Sequence, residues 1–146
     1  MFTQSRQKVL AAVPPPALVT LEKALGRDVE LTPAHQLDEA LRLLRSDRGI
    51  SLILCGVHFD ESRMFDLLRA ARAELPSLPF VCCRIFSVEL PHVTLQAIEI
   101  ASRSLGAAAF IDLPALAREH GDDGAERQLR SSVLAHLPPG KKTSGP

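Results

Sequence analysis

The segment Ser51-Leu-Ile-Leu-Cys-Gly-Val-His-Phe-Asp60 constrains this chain more than any other. Ile50 to Val57 is apolar on both faces, which is how a central parallel strand covered by helices reads. A helical run follows from Glu61 to Leu75. In it Phe65, Leu68, Ala71 or Arg72, and Leu75 recur on one side before Pro76 closes the pattern.

The rest of the chain repeats this alternation. Lys8 to Val13 predicts a first strand, stopped by Pro14-Pro-Pro16. Proline is tolerated where a helix begins, because the first amides lack partners there anyway. Leu18, Leu21 and Leu25 then recur at helical spacing up to Gly26. Asp28 to Leu31 predicts a short second strand, with Thr32-Pro33-Ala34-His35 as a turn. Leu37, Ala40, Leu41 and Leu44 form the next helix face, ending near Gly49. Leu78 to Cys83 is the fourth strand, Pro91 to Leu105 the fourth helix with Gly106 at its end, and Ala107 to Ile111 the fifth strand. After Pro114 come a short helical segment, a break at Gly121-Asp-Asp-Gly124, and a last helix over 125–137 that Asp122 or Asp123 is placed to cap. Strands alternating with helices across short connections predict a three-layer α/β/α fold with a five-stranded parallel sheet.

With 146 residues, 46% of them hydrophobic, the chain has the material for one domain, expected over 1–137. Residues 138–146, rich in Pro, Gly, Lys and Ser, are expected to be a disordered tail. Seventeen basic and seventeen acidic residues cancel, which removes the field that draws a protein to nucleic acid or anionic membranes. The absence of Trp and Tyr removes a base-stacking platform as well. No apolar run reaches the length of a membrane span, and the N-terminus makes a poor signal peptide. An odd count of cysteines, Cys55, Cys82 and Cys83, all inside apolar strands, points to a reducing compartment and a cytoplasmic protein.

Three local patterns resemble the receiver domain of response regulators. They are Ala34-His-Gln-Leu-Asp-Glu-Ala-Leu41 after the second strand, the spacing from Gly56 to Leu67-Leu68-Arg69, and Leu105-Gly-Ala-Ala-Ala-Phe-Ile-Asp-Leu-Pro114. The resemblance covers roughly Lys8 to Leu137 and implies a flavodoxin-like sheet of order 2-1-3-4-5. It also implies where a phosphorylation pocket belongs, and this sequence departs from the family there. The acidic pair that binds magnesium is replaced by Val13 and Pro14. The aspartate that accepts phosphate is Gly56, the hydroxyl residue ending strand four is Arg84, and the lysine of strand five is Leu113. None of these supplies the carboxylate oxygens that a hard dication requires. Phe110 occupies the family's aromatic switch position but reads as a core aromatic. Pro114 retains a proline that often follows a cis bond in the family, or simply ends the strand. The resemblance therefore implies a pseudo-receiver: a non-enzymatic, two-component-like signalling module that works through protein–protein interaction, with no cofactor and no metal.

Other residues suggest other chemistry. Asp60, four residues beyond Gly56, is either a displaced phospho-acceptor or a cap for the third helix, the second being the ordinary role for such a residue. Cys55, Cys82 and Cys83 with His58 carry zinc- or copper-binding atoms, or a redox thiol. Strand alternation sends Cys82 and Cys83 to opposite faces, however, and buried cysteine usually serves as a small hydrophobe. Arg84 at the end of an apolar strand needs water or a carboxylate, with Asp60 and Asp112 the nearest by topology. Pro14-Pro15-Pro16 lacks the amide donors that a nucleotide or flavin phosphate needs.

The fourth helix carries apolar residues over more than one face. With Ala97, Ile98, Ala101 and Leu105 toward the sheet, Leu95 and Ile100 are left outside. Exposed apolar clusters mark partner surfaces. Receivers commonly pair through their fourth helix, fifth strand and fifth helix, so the expected partner is a second copy or another signalling protein. The chain beyond the fifth helix is short for a DNA-binding output domain, so output is expected to run through another protein.

Overall fold

In the computed structural model, which describes residues 6–86 and 90–139, five strands form a single parallel sheet of order β2-β1-β3-β4-β5. The strands are β1 (Gln7–Ala12), β2 (Val29–Ala34), β3 (Ile50–Gly56), β4 (Phe80–Arg84) and β5 (Ala109–Asp112). Between and after them run α1 (Pro15–Leu25), α2 (Leu37–Ser46), α3 (Met64–Glu74), α4 (His92–Ser104) and α5 (Leu113–His136). The flavodoxin-like order is thus the one that the resemblance implies.

Alternation along the three central strands builds two cores. Val9, Ala11, Leu52, Leu54, Val81 and Cys83 point to one face, where α1 and α5 cover them with Leu21, Leu25, Leu129 and Val133. Leu10, Ile53, Cys55, Phe80 and Cys82 point to the other, against Ala40 and Leu44 of α2 and Leu67, Leu68 and Ala71 of α3. Both faces of β3 are therefore sealed from water, which is why its sequence is a continuous apolar run.

Four expectations shift. The second strand does not turn at Thr32 but runs through Pro33 to Ala34, paired along its length with β1. This strand is the sheet edge, where a proline lacking its amide interrupts no ladder on the outer side. The third helix starts at Met64 rather than Glu61, because Asp60, Glu61 and Ser62 take left-handed backbone angles with φ of 44°, 55° and 71°. The last two helical segments form one helix with a kink at Gly121, whose φ of 76° and ψ of 170° suit glycine. The helix resumes at once at Asp122, and neither Asp122 nor Asp123 makes a capping hydrogen bond among the described residues. Finally, the bond before Pro114 is trans, and the proline sits in the first turn of α5.

No helix among the described residues is long and apolar enough to cross a membrane. Most of the tail expected at 138–146, from Gly140 onward, lies outside the described residues.

Candidate functional site

Parallel strands bring their carboxyl ends to one edge, and ligands of open α/β sheets gather there. In this chain that edge collects every residue that the resemblance places in a phosphorylation pocket. Val13 follows β1, Gly56 ends β3 beside Cys83 of β4, and Arg84 ends β4 opposite Asp112 of β5, with Leu113 next along the chain. A Cβ built on Gly56 would lie 3.4 Å from Val13 Cγ1 and 3.9 Å from Pro14 Cδ. The three positions thus face each other, as an acceptor and its metal-binding acids would. What they present is two methyl groups, a pyrrolidine ring and no side chain at all. Val13 and Leu113 are buried, packed in the core beneath α1 and α5.

The buried charge at this edge is neutralised internally. Arg84 Nη1 donates to Asp112 Oδ1 at 2.9 Å across adjacent strands in register. The same Oδ1 accepts from the Ala115 amide at 3.2 Å, so Asp112 also caps α5. Of the two carboxylates that the sequence offers Arg84, the register selects Asp112. Burial makes the choice consequential, since a guanidinium held away from water needs its counter-charge.

Asp60 does something else. Its Oδ2 accepts from the Leu37 amide at 2.8 Å, at the first turn of α2. The expected role as a cap for the third helix is overturned, and α3 has no side-chain cap. The physical reason is the left-handed turn over 60–62, which lifts Asp60 away from α3 and swings it across to the α2 terminus. There its charge meets unpaired amides and the positive helix end. Glu39 completes this junction by accepting from the His35 amide at 2.9 Å, while His35 Nδ1 donates to the Val13 carbonyl at 2.9 Å. Sequence reading missed this tether. Its visible trace was the acidic pair Asp38-Glu39 opening α2, but the partner in Asp60 lies on a distant loop.

The thiols are separated and buried. Cys55 and Cys82 are in register on one face, and Cys83 lies on the other. Burial raises all three, with Cys82 pushed up to about 12 although the neighbouring Ser102 side chain acts the other way. They stay protonated and act as packing groups. No cluster of three or more His, Cys, Asp or Glu side chains placed to hold a metal occurs among the described residues.

On α4 the helix phase differs from expectation. Its one fully buried residue is Ser102, whose hydroxyl donates to the Glu99 carbonyl at 2.9 Å, and Ile98 and Leu105 pack with it. A small self-satisfied side chain lets the helix sit close over Cys82. The face then runs through 95, 98, 102 and 105. Ala97, expected toward the sheet, is exposed, and Leu95, expected outside, is half-buried. Ile100 is 65% exposed as expected, and Val93, seven residues earlier on the same side, is 74% exposed. Phe110 is half-buried and packs on the α2–α3 core.

Solved structures share this architecture. A response regulator from Chloroflexus aurantiacus, itself described as putative, superposes with a TM-score of 0.69 at 18% identity, over 91% of this chain and 98% of that one. The phosphorylated cyanobacterial phytochrome response regulator RcpA gives 0.69 at 16% identity, over 92% and 100%. An orphan response regulator of H. pylori gives 0.66 at 14%, over 93% and 100%. No protein-family model matches the sequence, and no curated protein does. The chain has the fold of response-regulator receiver domains, and at these identities the likeness extends to the fold.

Proposed function

We propose that this chain is a non-enzymatic, receiver-fold signalling module that acts by protein–protein contact and does not carry phosphate on its sheet edge. One observation carries the reading. The position of the acceptor is Gly56, and the groups around it are Val13 and Pro14, with Arg84 drawn off to Asp112. Phosphoryl transfer to a carboxylate needs an acceptor oxygen, a dication to gather charge and a cation to hold the product. Val13, Pro14, Gly56 and Leu113 supply none of these, and the charge on Arg84 is already matched.

The partner surface in this reading is the outer side of α4, centred on Val93 and Ile100, with Leu95 and Phe110 at its inner margin. Two large apolar side chains one heptad apart on a surface helix form a stripe suited to burial against a second helix or a second copy.

The test is incubation with acetyl phosphate and magnesium, read by intact mass and peptide mapping. The reading expects an unmodified chain. A stable phosphoryl adduct, on Asp60 above all, would overturn it. For the surface, Ile100→Lys is expected to abolish self-association or capture of a partner from the native host while leaving thermal stability unchanged. Retained association in the variant removes α4 from the interface.

A further inference from the structure

We propose that a groove at the opposite, amino edge of the sheet binds a small molecule with an apolar body and a single carboxylate. This inference does not depend on the signalling role, since it uses none of the residues at the carboxyl edge.

The groove lies where the ends of α2, α3 and α5 meet the starts of β3 and β4, and its volume is about 630 Å³. Small-molecule sites span about 300–1,000 Å³ and combine an apolar lining with a few polar groups. Here Leu44 and Ile50 are buried in the lining, and Leu75 and Leu78 are half-buried beside them. A concave apolar surface of this size suits a compact hydrophobic body better than the flat contact of a protein partner.

The charged lining selects the other end of the ligand. Two carboxylates line the groove, and all four of their oxygens already accept hydrogen bonds. Asp47 Oδ1 takes the Gly49 amide at 2.9 Å and Oδ2 takes Lys8 Nζ at 3.0 Å. Glu74 Oε1 and Oε2 take Arg45 Nε at 2.9 Å and Nη2 at 2.7 Å. A cationic ligand therefore finds each carboxylate already matched by a cation of the chain. Arg48, the third charge of the lining, forms no ion pair among the described residues. His136 is tied to its own helix, Nδ1 donating to the Ser132 carbonyl at 2.8 Å. Among the described residues the groove thus offers Arg48, whose charge acts on Glu74 without an ion-pair contact, as a planar fork that matches a carboxylate in bidentate fashion. A dianionic phosphate would bring a second charge that the Arg48 fork alone does not offset.

The experiment is amide NMR titration of the full chain with three probes that share one apolar body: naphthoate, neutral naphthalenemethanol and naphthyl phosphate. The proposal expects saturable naphthoate shifts at Ser51, Ser77 and His136, with the alcohol about tenfold weaker and the phosphate no tighter than the carboxylate. Arg48→Ala is expected to weaken naphthoate about tenfold and leave the alcohol unchanged, because a charge-assisted hydrogen bond is lost. Arg48 is exposed, so the variant keeps the fold. Any of three results overturns the proposal: shifts that do not saturate or that map elsewhere, equal affinity for acid and alcohol, or an Arg48→Ala variant that binds naphthoate as before. A groove filled by the chain's own residues beyond Pro139 would give the first of these.

Discussion

At the carboxyl edge Arg84 and Asp112 pair at 2.9 Å with 8% and 20% of their side chains exposed, whereas at the amino edge Arg45 and Glu74 pair at 2.7 Å with 58% and 41% exposed. The distances are close and the chemistry is identical. What differs is the solvent around them. The first pair sits where water is scarce, so losing either charge is costly. The second is screened, and either member is readily hydrated alone. The count of ion pairs thus says little about how this fold is held, and at the carboxyl edge the Arg84–Asp112 pair acts as an internal brace between β4 and β5. The amino edge keeps its pairs on the rim and leaves a hollow between them.

The sharpest way to break this comparison is to remove one member of the buried pair. Asp112→Asn is expected to cost about 3 kcal/mol, because it takes the Asp112 charge away from a buried guanidinium. Urea denaturation checks this, and a loss below about 0.5 kcal/mol would place the pair in the screened class. Next in size is the tether from the β3–α3 loop. Asp60→Ala is expected to cost about 1 kcal/mol by freeing the Leu37 amide at the α2 terminus, measured in the same way. Unchanged stability would mean that water replaces the cap at no cost.

A smaller effect of opposite sign is expected at the next residue. Glu61 is exposed, with φ of 55°, so Glu61→Gly should stabilise by about 0.5 kcal/mol once relief of left-handed strain is set against the greater freedom of unfolded glycine. A destabilised variant would show that the turn is held in place by Glu61 itself.

The smallest effect belongs to the rim. Arg45→Ala should leave the urea midpoint unchanged within the error of the measurement. The rim pairs should instead appear in the acid limb of a pH titration. Arg45 beside Glu74, the Gly49 amide with Lys8 on Asp47, and Arg130 beside Asp28 hold these carboxyls below their ordinary values of 4.5, 3.8 and 3.8. A carboxyl depressed in the folded state stabilises above its unfolded value, and that contribution disappears as pH falls through the folded one. Stability is therefore expected to decline only below about pH 4.5, and less steeply in 1 M salt, where exposed charges are screened.

The elements and their class were legible because they rest on short-range patterns. Doubly apolar β3, the helical spacing of Leu18, Leu21 and Leu25, and the glycines after α4 and at the α5 kink each report local geometry. The identities at 13, 14, 56, 84 and 113 were equally plain, since the absence of carboxylates needs no coordinates to be seen. Where reading failed, the cause was packing. The phase of α4 turns on one buried serine, and period alone cannot separate a seam through 102 from one through 97 and 101. The edge position of β2 permitted Pro33 inside a strand, and no local signal distinguishes an edge strand from a turn.

By itself, then, the sequence determined that five apolar strands would be covered on both faces by helices, and that positions 13, 14, 56, 84 and 113 would carry Val, Pro, Gly, Arg and Leu. Only the tertiary structure decided that Arg84 takes Asp112 rather than Asp60, that Asp60 serves α2 rather than the helix it precedes, and that a hollow opens at the amino edge. Periodicity is a property of neighbours along the chain. Those partnerships join groups 28 and 23 residues apart, and their choice waits on register and on which helix end arrives beside which loop.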